Sequence, residues 1–274
     1  MSSGSTPRTI RLDLAYDGTG FRGWAAQRDP AIRTVQGELT GALERILRQE
    51  VRLVVAGRTD AGVHAAGQVT SFVTGSGLAP ERIAAALNGA LAPEVVIRRA
   101  TVAPDGFDAR RWAIERAYRY AIGVAPLPDP FTARFTWHRP GAPALGPMRA
   151  AARTLVGEHD FTSFCRHPGP GRSTVRELRR ISVRRSGDLL ELRFAADAFL
   201  HQMVRALVGT LVAVGDGKLD PGDVARILRA RDRSGAPPIA PPHGLTLEHV
   251  RYGRRPQRKL SARNTGPSST SAAP

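Results

Sequence analysis

The sequence predicts an α+β protein made of two consecutive sheet-and-helix halves. Three observations carry this. Over the first hundred residues, alternating apolar runs and runs at helical spacing follow one another as strand, helix, strand, strand, helix, strand. A similar succession fills the rest of the chain. The length of 274 residues, 42% hydrophobic and 23% charged, suits about two domains of ordinary globular composition. That composition excludes collagen-like, disulfide-scaffold and wholly disordered classes. The single cysteine, Cys165, excludes an internal disulfide and any multi-cysteine metal site.

In the first half, residues 9–17 alternate as a strand, with Ile10, Leu12 and Leu14 on one face. Residues 18–33 form a Gly- and Pro-punctuated loop. Thr34 is a plausible N-cap for a helix marked by Val35, Leu39, Ala42, Leu43, Ile46 and Leu47. Residues 51–56 and 68–74 are β-branched or apolar runs, hence strands. Pro80 suits the first turn of a helix that runs to about Leu91. Residues 95–102 close the half as a strand. This β-α-β-β-α-β order is the ferredoxin-like arrangement.

The second half opens with a strand over 116–124, and 135–139 suggests another. Residues 147–156 read as a helix with Gly157 as its stop. Residues 177–185 and 189–196 form a hairpin across Ser186-Gly187-Asp188. Leu200, Met203, Val204, Leu207, Val208 and Leu211 mark a helix, and Asp220-Pro221 starts a shorter one to about Ala230. Residues 245–252 are a last strand. The expected architecture is two ferredoxin-like units, residues 8–113 and 114–253, with mainly antiparallel sheets around a basic central cleft. Residues 1–7 read as a flexible N-terminus. Residues 254–274 read as a disordered basic tail with almost no apolar residues.

Charge narrows the partner. Lys plus Arg is 40 and Asp plus Glu 24, a net +16. Only Lys218 and Lys259 are lysines, so coding bias can account for Arg in place of Lys but not for the excess over acids. The tail supplies five of the sixteen net charges, through Arg254, Arg255, Arg258, Lys259 and Arg263. The rest belongs to the body, which reads as a polyanion binder. The N-terminus has no apolar run fit for a signal peptide, and the longest apolar stretch is about half a membrane span. The expected location is cytoplasmic.

Four motifs carry candidate chemistry. Gly18, Gly20 and Gly23 form a GxGxxG after a strand, but the helix waits until Thr34, which argues against dinucleotide binding. A loop admitting a large partner close to the backbone fits better. Residues 57–65 place Arg58, Asp60 and His64 in one loop; a tight turn is the plain reading, and phosphate gripping with nucleophilic or acid–base work the functional one. On the strand at Arg116-Ala117-Tyr118-Arg119-Tyr120, both tyrosines share one face and both arginines the other. Either the rings pack in a core or one stacks on a base beside basic groups. In His201-Gln202-Met203-Val204-Arg205, Arg205 lies roughly 120° from the centre of the apolar stripe, where it can reach a cleft or simply bound the core. His159-Asp160 and Cys165-Arg166-His167 match no usual metal-ligand pattern and read as loop residues.

Together these segments resemble the TruA family of tRNA pseudouridine synthases. The matching stretches are Tyr16-Asp17-Gly18 with Gly23-Trp24, Arg33-Thr34-Val35-Gln36, the run GRTDAGVHA from Gly57, and Gln68-Val69. Leu87-Asn88, Phe107-Asp108-Ala109-Arg110, Tyr118-Arg119-Tyr120, His159 to Phe164 and Phe199 to Arg205 follow in order. Ala25-Ala26 and Ala56 depart from the usual pattern. The resemblance implies isomerisation of uridine to pseudouridine at positions 38, 39 and 40 of the tRNA anticodon arm, with no cofactor and no metal, by a homodimer. It implies that Asp60 is the catalytic aspartate, Tyr118 the base-contacting tyrosine, Arg205 the partner of the aspartate, and Arg58 the arginine that helps extrude the target base. A non-catalytic RNA-binding protein and a synthase acting on ribosomal RNA are the alternative expectations.

Overall fold

The computed structural model describes residues 6–169 and 171–253. Most of the flexible N-terminus expected over 1–7, and all of the basic tail expected over 254–274, lie outside the described residues.

The first half contains β1 (Arg8–Tyr16), α1 (Val35–Leu47), β2 (Val54–Val55), β3 (His64–Thr74), α2 (Pro80–Leu91) and β4 (Val95–Val102). Ile10, Leu12 and Leu14 of β1 are fully buried, as their alternation requires. Thr34 is extended and accepts the Gly37 amide, a cap of the sort worth about 1 kcal/mol. α2 begins at Pro80 and ends at Leu91, as read from the sequence.

The second half contains β5 (Ala113–Gly123), β6 (Trp137–His138), α3 (Leu145–Leu155), β7 (Gly157–Asp160), β8 (Val175–Ser186), β9 (Leu189–Ala196), α4 (Met203–Gly215), α5 (Asp223–Ala230) and β10 (Leu245–Tyr252). The hairpin between β8 and β9 turns at Gly187, whose φ of +55° suits glycine.

The strands join in one sheet, ordered β4-β1-β3-β10-β5-β9-β8-β7, with β2 on β3 and β6 on β5. Most pairings are antiparallel; β10 with β3 and β5 with β6 are parallel. β3 of the first half and β10 of the second meet at a seam. It consists of His64 and Ala65 of β3 opposite Thr246 and Leu247 of β10. One continuous hydrophobic core crosses it, from Ile10 and Leu43 to Leu207 and Leu211.

Several boundaries differ from the sequence reading, each through a non-local contact. The strand expected over 51–56 shrinks to two residues. The Val51 amide goes to Glu44 of α1, and β2 meets β3 only at Ser71 and Thr70. The strand expected from Gln68 starts four residues earlier, because Ala65 pairs with Tyr16 and with Leu247. The strand suggested over 135–139 is reduced to Trp137–His138. α3 ends at Leu155, just ahead of Gly157 as expected, but Gly157, at φ +121°, also opens β7, so His159 and Asp160 are strand residues rather than loop. The helix marked from Leu200 begins at Met203, after a turn in which Gln202 adopts φ 64°.

Candidate active site

Asp60 lies on the connection between β2 and β3, directly before the seam. That connection is clamped along its length by the glycine-containing loop after β1. Trp24 N–H donates to Thr59 O (3.0 Å), and Gly62 N–H donates to Phe21 O (3.3 Å). A Cβ on Gly18 would lie 2.1 Å from Val63 O, and Gly23, at φ +94°, packs on Thr59 to Ala61. These glycines admit the chain's own neighbouring loop, not an outside partner as the sequence suggested. Below, the Thr59 hydroxyl meets Tyr16 Oη (2.8 Å) and Gln68 Nε2 donates to Gly57 O (2.8 Å).

The clamp uses backbone groups and the Thr59 hydroxyl. The Asp60 side chain caps no amide of its own turn; the Val63 amide is taken by the Asp60 carbonyl. Its carboxylate points across the seam to the start of α4. Arg205 Nη1 donates to Asp60 Oδ2 at 3.1 Å, and His201 Nε2 lies 3.3 Å from Oδ1. The Arg205 and Asp60 side chains are 11% and 19% exposed, so the ion pair is poorly screened by water. Arg205 Nε donates to Ala240 O (2.8 Å), leaving a one-pronged contact with the carboxylate. Arg205 thus sits where its helical flank position allowed, with its stem covered.

Tyr118 of β5 is buried near the root of the Asp60 loop. Its ring meets Phe199 edge-on, with centroids 5.1 Å apart. Its hydroxyl comes close to the root of the Asp60 loop, 3.8 Å from where a Gly57 Cβ would be. Burial raises its pKa well above the ordinary phenol value, and the nearby charge of Asp60 adds to this. Tyr118 is therefore a neutral phenol. Arg58 is exposed, and among the described residues it makes no ion pair or hydrogen bond.

Other groups singled out in the sequence are occupied structurally. Tyr120 is core: its hydroxyl donates to Pro241 O (2.8 Å), and its ring packs on Trp137. Arg116 spends its guanidinium on the carbonyls of Ala56, Arg110, Ala113 and Asp197. Arg119 pairs with Glu191 and Glu248. The two arginines of β5 therefore hold protein rather than present charge to a base. Among the described residues no group of three or more His, Cys, Asp or Glu side chains could hold a metal ion.

A family model described as tRNA pseudouridine synthase matches residues 14–110 and 151–253. The chain belongs to that family. It is 48% identical over 260 residues to tRNA pseudouridine synthase A of Frankia casuarinae, covering 93% of this chain and 92% of that protein. Identity to the Moorella thermoacetica protein of the same name is 43%, covering 89% of this chain and 99% of the relative. For the Bacillus subtilis protein of that name it is 39%, covering 89% and 98%. In this synthase chain Arg58, Asp60 and Arg205 fall inside the matched stretches, and Tyr118 falls between them.

Two site residues escaped the sequence reading. His201 stands four residues before Arg205, the spacing that lets two side chains near a helix start reach one target, and that was the available signal. Phe199 opens the matching stretch that ends at Arg205, but nothing in the sequence signalled its contact with Tyr118, which is long-range. His64 is the opposite case. It was grouped with the reactive residues of its loop, yet it is buried and structural. Gly18 N–H donates to its Nδ1 (3.0 Å), and its Nε2 is 3.1 Å from the carbonyls of Arg134 and His243. Asp17 Oδ1, 3.1 Å from Nδ1, favours the charged ring, but burial outweighs it and lowers the pKa below the ordinary 6.5.

This sets the sign of a pH effect. The unfolded ring takes up a proton near 6.5 and the folded ring resists it, so stability is fully present above that value and is lost as pH falls below it. His243, also lowered by burial, acts in the same direction. Melting temperature should drop between about pH 8 and pH 5, and His64→Gln should flatten part of that drop. An unchanged slope in the variant would contradict the buried neutral assignment.

Proposed function

We propose that the chain isomerises uridine to pseudouridine in tRNA, at positions 38, 39 and 40 of the anticodon arm, with Asp60 as the catalytic carboxylate. One observation carries the reading: the clamped loop leaves the Asp60 side chain free of any turn role and sets its carboxylate against Arg205, with the neutral phenol of Tyr118 at the root of the same loop. Family membership supports tRNA as the substrate. The body's positive charge supports phosphate contacts.

The reaction breaks the C1′–N1 bond and makes a C1′–C5 bond. C5 then loses a proton and N1 carries one, so no atom is gained or lost overall. Arg205 favours the ionised form of Asp60 in a site shielded from water. An ionised carboxylate serves each available opening step: attack on the sugar, addition to the base, or deprotonation of the ribose. The Tyr118 phenol, held neutral, is suited to relay the C5 proton: it receives that proton as its own passes on to N1, which must gain one. The target must first leave its stack, and the unpaired, exposed Arg58 is suited to filling the gap it leaves. These groups need no cofactor for an isomerisation.

The finer architecture belongs to the same proposal. Strand order β4-β1-β3-β2 in one half and β10-β5-β9-β8 in the other supports two ferredoxin-like units, residues 8–113 and 114–253, flanking a basic cleft. Leu127 and Phe131, 78% and 90% exposed on one loop, support burial against a second copy in a homodimer. The cytoplasmic location follows from the substrate. Among the described residues no helix is long and apolar enough to cross a membrane.

The test is pseudouridine mapping of tRNA and ribosomal RNA transcripts treated with purified protein. The expected product is pseudouridine at 38, 39 or 40 of tRNA alone. Product only in ribosomal RNA, or binding without product, would replace the proposal with one of its alternatives. Affinity for tRNA should also fall steeply with salt, log Kd shifting by about 0.7–0.9 per neutralised phosphate for each decade of salt concentration. Arg58→Ala should lower turnover while leaving most of that salt slope in place.

A further inference from the structure

We propose that His201 is a positioning residue for Asp60: it holds the second carboxylate oxygen and thereby fixes which way the carboxylate faces. The inference rests on the reading of Asp60 as the catalytic group.

The need for a second holder comes from Arg205. A guanidinium can grip a carboxylate with two parallel contacts, which fixes both distance and orientation. Arg205 does not. Its Nε is spent on Ala240 O, and only Nη1 reaches Asp60, at Oδ2. That segment is tied closely to α4, since Ala240 N–H donates back to Arg205 O (3.0 Å) and a Cβ on Gly209 would lie 2.1 Å from Pro238 O. Arg205 is thus held rigidly in a one-pronged pose. One contact fixes a point and leaves the carboxylate free to swing about it.

Oδ1 is the oxygen left over, and His201 Nε2 lies 3.3 Å from it. The chain is bent to bring this about. Gln202 adopts φ 64°, a backbone conformation that side chains other than glycine rarely take. Such strain persists where the surroundings enforce it, and it gathers at functional sites. Two backbone contacts enforce it here: Arg166 N–H donates to His201 O (3.0 Å), and Met203 N–H donates to Leu200 O (3.1 Å). The turn places Phe199 on Tyr118, His201 on Oδ1 and Arg205 on Oδ2 from seven consecutive residues.

Exposure separates this role from packing. The His201 side chain is 48% exposed and that of Arg205 11%. His201 stands at the mouth of the site and contributes little to the core, so its replacement should leave the fold intact. Its effect must then pass through Asp60 or through the RNA, and kinetics tells the two apart.

The experiment measures kcat, KM for tRNA and melting temperature for wild type, His201→Ala, His201→Gln and Asp60→Asn at one ionic strength. Loss of a positioning contact should lower kcat of His201→Ala by about 10- to 100-fold with KM within about twofold, since small misplacements at a reacting centre carry costs of that size. His201→Gln, whose amide can donate to the same oxygen, should recover most of the loss. Melting temperatures of both should stay near wild type. Unchanged kcat in His201→Ala, a raised KM with kcat intact, or no rescue by glutamine would each overturn the proposal; the raised KM would assign His201 to RNA contact instead. Activity retained in Asp60→Asn would overturn the underlying reading, and that result is separate from anything seen at position 201.

Discussion

Asp60→Asn is expected to fold, to bind tRNA, and to form no detectable pseudouridine. The substitution keeps side-chain volume and removes the charge and the nucleophile. The turn does not depend on the carboxylate, because the Val63 amide bonds the Asp60 carbonyl and neighbouring residues supply the clamp. Arg205 Nη1 still finds an amide oxygen where it now finds Oδ2. Melting temperature should therefore move little. Binding should persist, since phosphate contacts position RNA and Asp60 makes none. Turnover should fall by at least about 10⁴-fold, the scale seen when one member of a cooperating catalytic set is lost. Melting, tRNA affinity and pseudouridine yield measured on one preparation check all three parts. A rate near wild type would remove the Asp60 carboxylate from the chemistry.

Tyr118→Phe should separate chemistry from packing. The ring is 6% exposed and wedged against Phe199, so phenylalanine can keep its packing. Among the described residues no group hydrogen-bonds the Tyr118 hydroxyl, so removing it leaves no stranded partner. The fold should be as stable as wild type or nearly so. The hydroxyl is a neutral phenol at the root of the Asp60 loop, and proton transfer by a placed group is typically worth about 10²- to 10⁴-fold. A kcat loss in that range with tRNA affinity unchanged is the expected outcome. Single-turnover kinetics with separate binding measurements would show it, and full activity would confine Tyr118 to packing.

Local signals in the sequence were read well where local physics decides. Thr34 caps its helix because a short hydroxyl side chain before an apolar repeat can take an orphan amide. Pro80 opens α2, and β4 and β10 run over the residues their alternation marks. The misses share one cause. β2 is short, β3 is long and β7 exists because of strands distant in sequence, and no window of a few residues carries that information. The glycines after β1 looked like a cradle for a ligand, and only the folded chain reveals that Thr59 to Val63 fills it. The site is divided in the same way. Arg58 and Asp60 stand in one short run, and residue chemistry alone marked them. Asp60 and Arg205 are 145 residues apart, and only the resemblance paired them before the structure brought them to 3.1 Å. The one-pronged character of that pair depends on Ala240, which no motif contains.

In the proposed function the target uridine is processed between Asp60 and Tyr118 at the seam of the two halves. A crystal structure of the Asp60→Asn protein with a tRNA anticodon arm tests it most directly. The expected structure has the uridine at 38, 39 or 40 out of its stack, its ribose or base within hydrogen-bond reach of the side chain at position 60, and C5 facing the Tyr118 hydroxyl. RNA bound with every base stacked and no nucleotide near position 60, or an extruded uridine held elsewhere on the surface, would contradict it.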